Sequence, residues 1–465
     1  MDPFIGRERE RRALEEAYAA RDSAFLPIYG RRRVGKSELI LRFAEEKPSV
    51  YFIGKQAPRE LQIHEFLGVA ARSLNSPLLA SQSVSGWREA LTTVADHWTS
   101  PRKLILALDE FQWMAESAPE LPSLLQELWD RRWRGRKNIF LILCGSYVGF
   151  MEREVLGKKS PLFGRRTGQI QLKPFSYHEA ALFHPRLSLA QKAATYFICG
   201  GIPLYLRSFE SDRSILQNIA RTFLSEFSPL AREADFLLRE ELREVENYHA
   251  VLMALAEGSL PVHEIAKRSG IGDRKLSYYL HNLMELGYVT KRFPLSDPAP
   301  GARYVRYVLI DPLLRFWFHF VYPNGSLISQ WGPQRASAEL IQPKLEAYFG
   351  RCFKDLCREA LPSLYANQKV SMPYRIGEYW DKNVQIDLVG LRQDGAVDLG
   401  ECKWGAVRSS GAIAEELRSK AGRYPNKSGR SVFLHLFSKE SPGRPAEGVR
   451  HHGLKEIYSW PEKKP

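Results

Sequence analysis

The sequence predicts the α/β fold class, spread over several domains, and three observations carry that prediction. Short apolar runs at 25–29, 50–54, 103–109, 138–144 and 169–172 alternate with helical stretches, the rhythm of a parallel sheet wound with helices. Gly30 to Ser37 reads Gly-Arg-Arg-Arg-Val-Gly-Lys-Ser, placed between the first of those runs and a segment with helical spacing (Leu39, Ile40, Phe43). From residue 340 onward, helix, strand hairpin, helix and strand follow in a second α/β unit. A chain of 465 residues has room for about two to four domains.

Each element of the first unit has a chemical reading. Gly30–Ser37 fits G-x-x-x-x-G-K-[ST] at every fixed position. The glycines let backbone N–H groups curl around phosphate oxygens, Lys36 is placed to reach the β- and γ-phosphates, and the Ser37 hydroxyl is a Mg²⁺ ligand. Arg33, Val34, Gly35 and Glu38 complete the candidate set around this loop. The apolar run from Lys103 ends in Asp109-Glu110, which predicts Asp109 in the Mg²⁺ shell and Glu110 polarising the attacking water. The next run ends at Ser146, which either senses the γ-phosphate or caps the following helix. Arg165 and Arg166 stand together before the last strand, and either is a candidate for neutralising transition-state charge.

Composition narrows the partners. The 67 Lys and Arg against 53 Asp and Glu leave a formal charge of +14, which favours phosphate-rich partners such as nucleic acid or anionic lipid. No apolar run is long enough to span a bilayer. Met1-Asp2-Pro3-Phe4 lacks the basic and apolar regions of a signal peptide. The five cysteines are scattered, with no CxxC pair, as in reduced cytoplasmic proteins.

These motifs, in this order across residues 1–210, resemble the AAA+/STAND-type P-loop ATPases of the archaeal ATPase family. The resemblance implies a P-loop ATPase core at 1–175 and a helical lid at 176–240, with ATP and Mg²⁺ as cofactors. Phe4-Ile5-Gly6-Arg7-Glu8 resembles the family's opening box, which puts Gly6 and Arg7 near the adenine. Gly200-Gly201-Ile202-Pro203 resembles its GGxP element, which puts Pro203 at the nucleotide.

Further along, Val262–Ser269 reads as a short helix, Gly270–Asp273 as a tight turn and Arg274–Leu286 as a second helix. Leu276, Leu280, Leu283 and Met284 make one apolar face of that helix. Strands at 287–293 and 302–310 follow, so 241–312 is predicted to be a winged helix-turn-helix. Its cations (Lys267, Arg268, Arg274, Lys275, Lys291, Arg292, Arg303 and Arg306) suggest DNA contact; the alternative is an internal packing module. Pro323-Asn324-Gly325 and Gly332-Pro333 mark 313–340 as a linker.

At 341–465, Val384–Leu391 and Val397–Trp404 read as strands around a turn at Gln393–Gly395. Period two puts Glu401 and Lys403 on one face, with Asp387 on the partner strand able to approach them. Asp, then Glu-x-Lys after a hairpin, resembles the PD-(D/E)xK nuclease arrangement, a restriction-endonuclease-like fold. That resemblance makes Asp387 and Glu401 metal ligands and Lys403 the residue activating water. Tyr348–Phe353 and Ile376–Asn383 resemble the C-terminal, nuclease-like domain found in many archaeal-type ATPases. There is one departure: the chain has Phe353-Lys354 where that domain usually has Phe-Glu.

The expected function is therefore Mg²⁺-dependent ATP hydrolysis coupled to binding or processing of nucleic acid, DNA above all, with a metal-dependent nuclease at the C-terminus. The alternative is a STAND-type switch that oligomerises on ATP binding, or a DNA-binding regulator with an inactive nuclease-like domain.

Overall fold

The computed structural model describes residues 4–297, 301, 304–370, 373–407, 409–440 and 446–460. They divide into two units, Met1–Pro174 and Phe175–Pro465.

In the first unit, six strands build one sheet: β1 Ala24–Phe25, β2 Ile28–Tyr29, β3 Ser49–Ile53, β4 Leu104–Asp109, β5 Ile139–Gly145 and β6 Ile170–Gln171. Their order is β3-β4-β5-β2-β6, with β1 also on β5, and every pairing is parallel. β4 and β5 are buried at every position. Helices cover both faces of such a sheet, so these strands are continuous apolar runs rather than alternating ones. The predicted strands fall on the observed ones within a residue or two. The exception is the first, which Pro27 splits because proline has no N–H to donate to a ladder. On one side of the sheet Phe52, Phe66 and Trp87 pack with ring centroids 5.5–6.0 Å apart.

The strand order positions the site. β5 lies between β2 and β4, so the carboxyl ends of the three strands stand side by side, in the crevice where open α/β sheets bind ligands. Helix α1, Lys36–Ala44, starts six residues after β2 ends and buries Leu39, Ile40 and Phe43.

The second unit opens with a helical block that includes α2 Leu189–Cys199 and α3 Pro203–Arg207. A helix-turn-helix follows: α4 Val245–Ala256, α5 Val262–Ser269 and α6 Asp273–Glu285. Its antiparallel strand pair is β7 Val289–Arg292 with β8 Arg306–Leu309. α6 buries Leu276, Leu280 and Leu283 as predicted. It also buries Tyr279, whose phenol donates to Glu244 (2.7 Å), and leaves Met284 half-buried.

The stretch predicted as a linker is helical instead. Pro312–Phe316, a π turn at Trp317–Val321 and Gly325–Ala336 lead into α7, Gln342–Asn367. The helices form because Leu313, Leu314, Phe316, Phe318 and Phe320 are buried. Gly332, at φ 74°, breaks the path at Pro333 without ending it.

A five-stranded sheet completes the second unit: β9 Tyr374–Trp380, β10 Gln385–Arg392, β11 Ala396–Lys403, β12 Ser431–Ser438 and β13 Val449–His452. β9, β10 and β11 are antiparallel neighbours, and β11, β12 and β13 are parallel ones. Helix α8, Ser410–Arg423, makes the crossover between β11 and β12.

Candidate nucleotide, nucleic-acid and C-terminal sites

The carboxyl edge of the first sheet gathers most of the predicted nucleotide residues. Gly30 leaves β2 at φ +156°, and a Cβ there would lie 2.2 Å from the Leu172 carbonyl oxygen. Only glycine lets the loop pass that strand. Arg33 and Gly35, at φ 67° and 90°, turn it over the start of α1, where helix N-terminal amides face anions. Lys36 is 5 % exposed, and its Nζ donates to the carbonyls of Gly30 (2.9 Å) and Arg31 (3.0 Å), holding the ammonium over the loop. Ser37 Oγ donates to Asp109 Oδ2 at 2.6 Å. A hydroxyl and a carboxylate so joined are hard oxygen donors suited to Mg²⁺.

Glu110 leaves β4 in the left-handed region (φ 50°). Its Oε2 accepts hydrogen bonds from Ser146 Oγ at 2.7 Å and from the Gln112 amide. Ser146 thus engages the acid from the strand between; the following helix has Tyr147 as its N-cap, without a side-chain bond. The two arginines part company. Arg165 is tied to Asp130 at 3.0–3.2 Å. Arg166 donates to the Leu156 carbonyl (3.2 Å). Burial raises the pKa of the Tyr29 phenol, Glu152 raises it further and the Arg166 charge pulls it down.

Other predicted residues serve the loop from behind. Gly6 and Arg7 are both left-handed. That turn buries the Arg7 guanidinium, which donates to the carbonyls of Val34 (3.0 Å) and Lys173 (2.7 Å). Val34 is buried, and Glu38 pairs with Arg42 at 3.2 Å. Pro203 opens α3 in the second unit. The preceding Gly201 has a packing reason, since a Cβ there would lie 1.9 Å from the Phe175 carbonyl oxygen.

On the helix-turn-helix, Lys267, Arg268, Arg274, Lys275, Ser277, Tyr278 and His281 are exposed and Asn282 is half-buried. Two cations predicted for DNA turn inward instead. Arg292 binds Asp355 (2.7 Å) and Glu378 (3.1 Å), and Arg306 lies over Trp380, 4.7 Å from its centroid. The chain after β7 joins the C-terminal sheet, Leu295 N donating to the Glu378 carbonyl at 2.7 Å; that register draws both side chains towards β9. Arg303 lies outside the described residues.

The C-terminal hairpin brings its three predicted residues to one end. Leu388 pairs with Gly400, so Asp387 and Glu401 follow one step beyond, and Asp387 Oδ2 accepts from Cys402 N (3.2 Å). Asp387 is 3 % and Glu401 4 % exposed. Lys403 Nζ binds Glu401 Oε1 at 2.8 Å. Two further lysines occupy the same carboxylates, Lys354 on Asp387 Oδ1 (2.6 Å) and Lys420 on Glu401 Oε2 (2.7 Å). Burial pushes the Lys403 and Lys420 amines down, but their bonds to Glu401 outweigh it and hold both above their ordinary values. Among the described residues no three His, Cys, Asp or Glu side chains converge as a metal-ligand set. Both carboxylates are thus already held by lysines.

Residues 4–209 match the model of an ATPase domain predominantly from Archaea. Over those residues the chain is similar to archaeal-type P-loop ATPases. Residues 250–291 also match the model of bacterial regulatory proteins of the arsR family, and residues 317–414 that of archaeal and bacterial proteins of unknown function. An uncharacterized protein of Methanocaldococcus jannaschii is 28 % identical over 403 residues, 86 % of this chain and 87 % of its own length. Among solved structures, a Walker-type ATPase of Pyrococcus abyssi is 20 % identical with a TM-score of 0.49, covering 68 % of this chain and 96 % of that one. The ORC2 protein of Aeropyrum pernix is 15 % identical with a TM-score of 0.45, covering 71 % and 97 %. Among the described residues no helix is long and apolar enough to cross a membrane.

Two further residues, neither among the predicted site residues, hold the acids at the end of β4. Gln112, two positions past Glu110, holds its carboxylate. Tyr51 on β3 donates to Asp109 Oδ2 at 2.5 Å. Burial raises the pKa of the Tyr51 phenol, and Asp109 raises it further, so it remains a neutral donor. The signal was the alternation of β3, whose half-buried positions include Tyr51. Tyr51→Phe removes one hydrogen bond of about 1 kcal/mol from Asp109. The expected result is an approximately fivefold fall in kcat with a raised Mg²⁺ requirement, read from ATPase rates across a Mg²⁺ titration.

Proposed function

We propose that this protein hydrolyses ATP with Mg²⁺ and that its nucleotide state governs DNA binding by residues 245–292. The reading is carried by one observation: Ser37 bonded to Asp109, with Glu110 beside Ser146, at the mouth of the Gly30–Ser37 loop. Bound Mg²⁺ neutralises charge on the phosphates and orients them for in-line attack. Ser37 and Asp109 would hold the cation, and Tyr51 fixes the rotamer of Asp109. Lys36 and the loop amides bind phosphate oxygens. Glu110, released from Ser146 and Gln112, orients the attacking water and accepts its proton. Arg166, free of a carboxylate such as Asp130, is the better of the two arginines for the transition-state charge.

The exposed face of α6 and the arsR-family match support DNA as the partner, with side chains reaching base edges or phosphates from the second helix. Replacing Arg274 and Lys275 with alanine is expected to weaken duplex binding about tenfold and to lower the salt slope by about 2, while basal ATP hydrolysis is unchanged. The checks are fluorescence anisotropy at several salt concentrations and ATPase rates with and without duplex. Binding indifferent to both substitutions would remove α6 from the interface.

A second reading, a metal-dependent nuclease, has the register of Asp387, Glu401 and Lys403 in its favour. The lysines on both carboxylates weigh against it. Incubation of the full chain with Mg²⁺ or Mn²⁺ and linear, nicked or single-stranded DNA tests it, cleavage lost in Asp387→Ala being the supporting result.

A further inference from the structure

The end of the C-terminal hairpin holds two nearly buried carboxylates, and each of their four oxygens already accepts a hydrogen bond. Asp387 Oδ1 takes Lys354 Nζ and Oδ2 takes the Cys402 amide. Glu401 Oε1 takes Lys403 Nζ and Oε2 takes Lys420 Nζ. Three of the four donors are ammonium groups. They come from three elements: Lys354 from α7, Lys403 from β11 and Lys420 from α8. Lys420 is itself fixed by Glu416, 2.8 Å away and one helical turn earlier. Arg358, one turn after Lys354 on α7, donates to the Asp387 main-chain carbonyl at 2.5 Å, which leaves that backbone oxygen engaged as well.

We propose that this site is closed to divalent cations, with the Lys354 ammonium standing on Asp387 where a metal ion would coordinate. The lysines then serve as an ion-pair clamp that fastens α7 and α8 to the hairpin. The physical case is one of charge and donor capacity. A lysine ammonium has three donors and no acceptor, so each lysine consumes a carboxylate lone pair and offers a cation nothing in return. An entering Mg²⁺ or Mn²⁺ would meet an ammonium group on three of the four carboxylate oxygens, with only Lys420 partly offset by Glu416, in a place where burial weakens screening. It would also have to strip Lys354 from Asp387 and leave Asp387 bonded to a single backbone amide. Lys354 is the element of the clamp that acts on Asp387, since Lys403 and Lys420 both engage Glu401. Phosphodiester cleavage by metal-activated water has no place in such a site, whatever the nucleotide domain does.

The test is Mn²⁺ binding by the nucleotide-free full-length chain, followed by electron paramagnetic resonance of the free ion. Asp109→Asn is present throughout to remove the Mn²⁺ ligand of the first unit. The expected result is that adding Asp387→Asn or Glu401→Gln leaves the Mn²⁺ stoichiometry unchanged. Lys354→Glu is expected to gain one bound Mn²⁺, lost again in Lys354→Glu/Asp387→Asn. A bound ion in the Lys354 chain that disappears with Asp387→Asn or Glu401→Gln overturns the proposal. A Lys354→Glu variant that keeps its thermal transition yet gains no ion overturns the role given to Lys354. Lys354→Gln, which removes the charge with little change of shape, is expected to fold and to bind Mn²⁺ more weakly than Lys354→Glu. Because none of these readouts involves ATP, failure here is separate from failure of the ATPase reading.

Discussion

Lys36→Ala is expected to lower ATP hydrolysis by about 10²–10³-fold, the usual cost of deleting a preorganised charge from a phosphoryl- or acyl-transfer site. The side chain is 5 % exposed and sits over the loop on the carbonyls of Gly30 and Arg31. Its ammonium is therefore already in place when the phosphates arrive and costs little reorganisation. Its removal leaves the backbone cradle at the head of α1 intact, so ATP still binds, more weakly, while the charge developed in the transition state loses its partner. Steady-state phosphate release and nucleotide binding, measured together, distinguish the two effects. A variant retaining more than about a tenth of the parental rate would take Lys36 out of the catalytic site.

Asp355→Ala is expected to destabilise the second unit by about 2–3 kcal/mol, lowering its melting temperature by roughly 5–10 °C. Asp355 accepts from Arg292 on β7 (2.7 Å), Arg315 (3.0 Å) and Arg358 on α7 (2.5 Å), and Arg292 and Arg358 also engage Glu378 on β9. Without Asp355, Arg292 and Arg358 keep Glu378 as their carboxylate partner among the described residues. The lower end of the range for a broken buried pair applies because the Asp355 side chain is 30 % exposed.

The same network fixes a pH dependence. Burial by itself would push the Asp355 carboxyl up, but the guanidiniums of Arg292, Arg358 and Arg315 outweigh it and hold it far below its ordinary value of 3.8. A group depressed on folding binds more protons in the unfolded chain, so its stabilisation is present above that ordinary value and is lost as the pH falls below it. Thermal melts between pH 7 and 3 should show the gap between the parental chain and Asp355→Ala holding down to about pH 4 and only beginning to narrow at the acid end.

The nucleotide site was largely legible because its residues are close in sequence to the elements that carry them. A glycine loop between strand and helix, and an acidic pair at a strand end, are local patterns with local causes. Gly30 to Ser37, Asp109, Glu110 and Ser146 therefore come together at the carboxyl edge of one sheet. The hydrogen bonds of Tyr51 and Gln112 were not legible, since the alternation of β3 and the glutamine after Glu110 do not name a partner until β3 and β5 flank β4. The helices across 312–336 were not legible for a different reason: Gly and Pro signals at 323–333 mark a break in the sequence, and burial of the rings before them keeps the segment helical.

Sequence alone determined the α/β class, the loop chemistry and the helix-turn-helix, because period, spacing and turn residues act over a few positions. Tertiary structure alone decided which charges are free to meet a partner. Arg292 and Arg306 look like DNA contacts in the sequence and are spent on β9 in the fold. Arg165 and Arg166 look equivalent and are separated by Asp130. Lys354, a substituted position in sequence, becomes the cation on Asp387. Charge pairing depends on distances of a few ångströms between residues that can lie dozens of positions apart, and only the folded chain sets those distances.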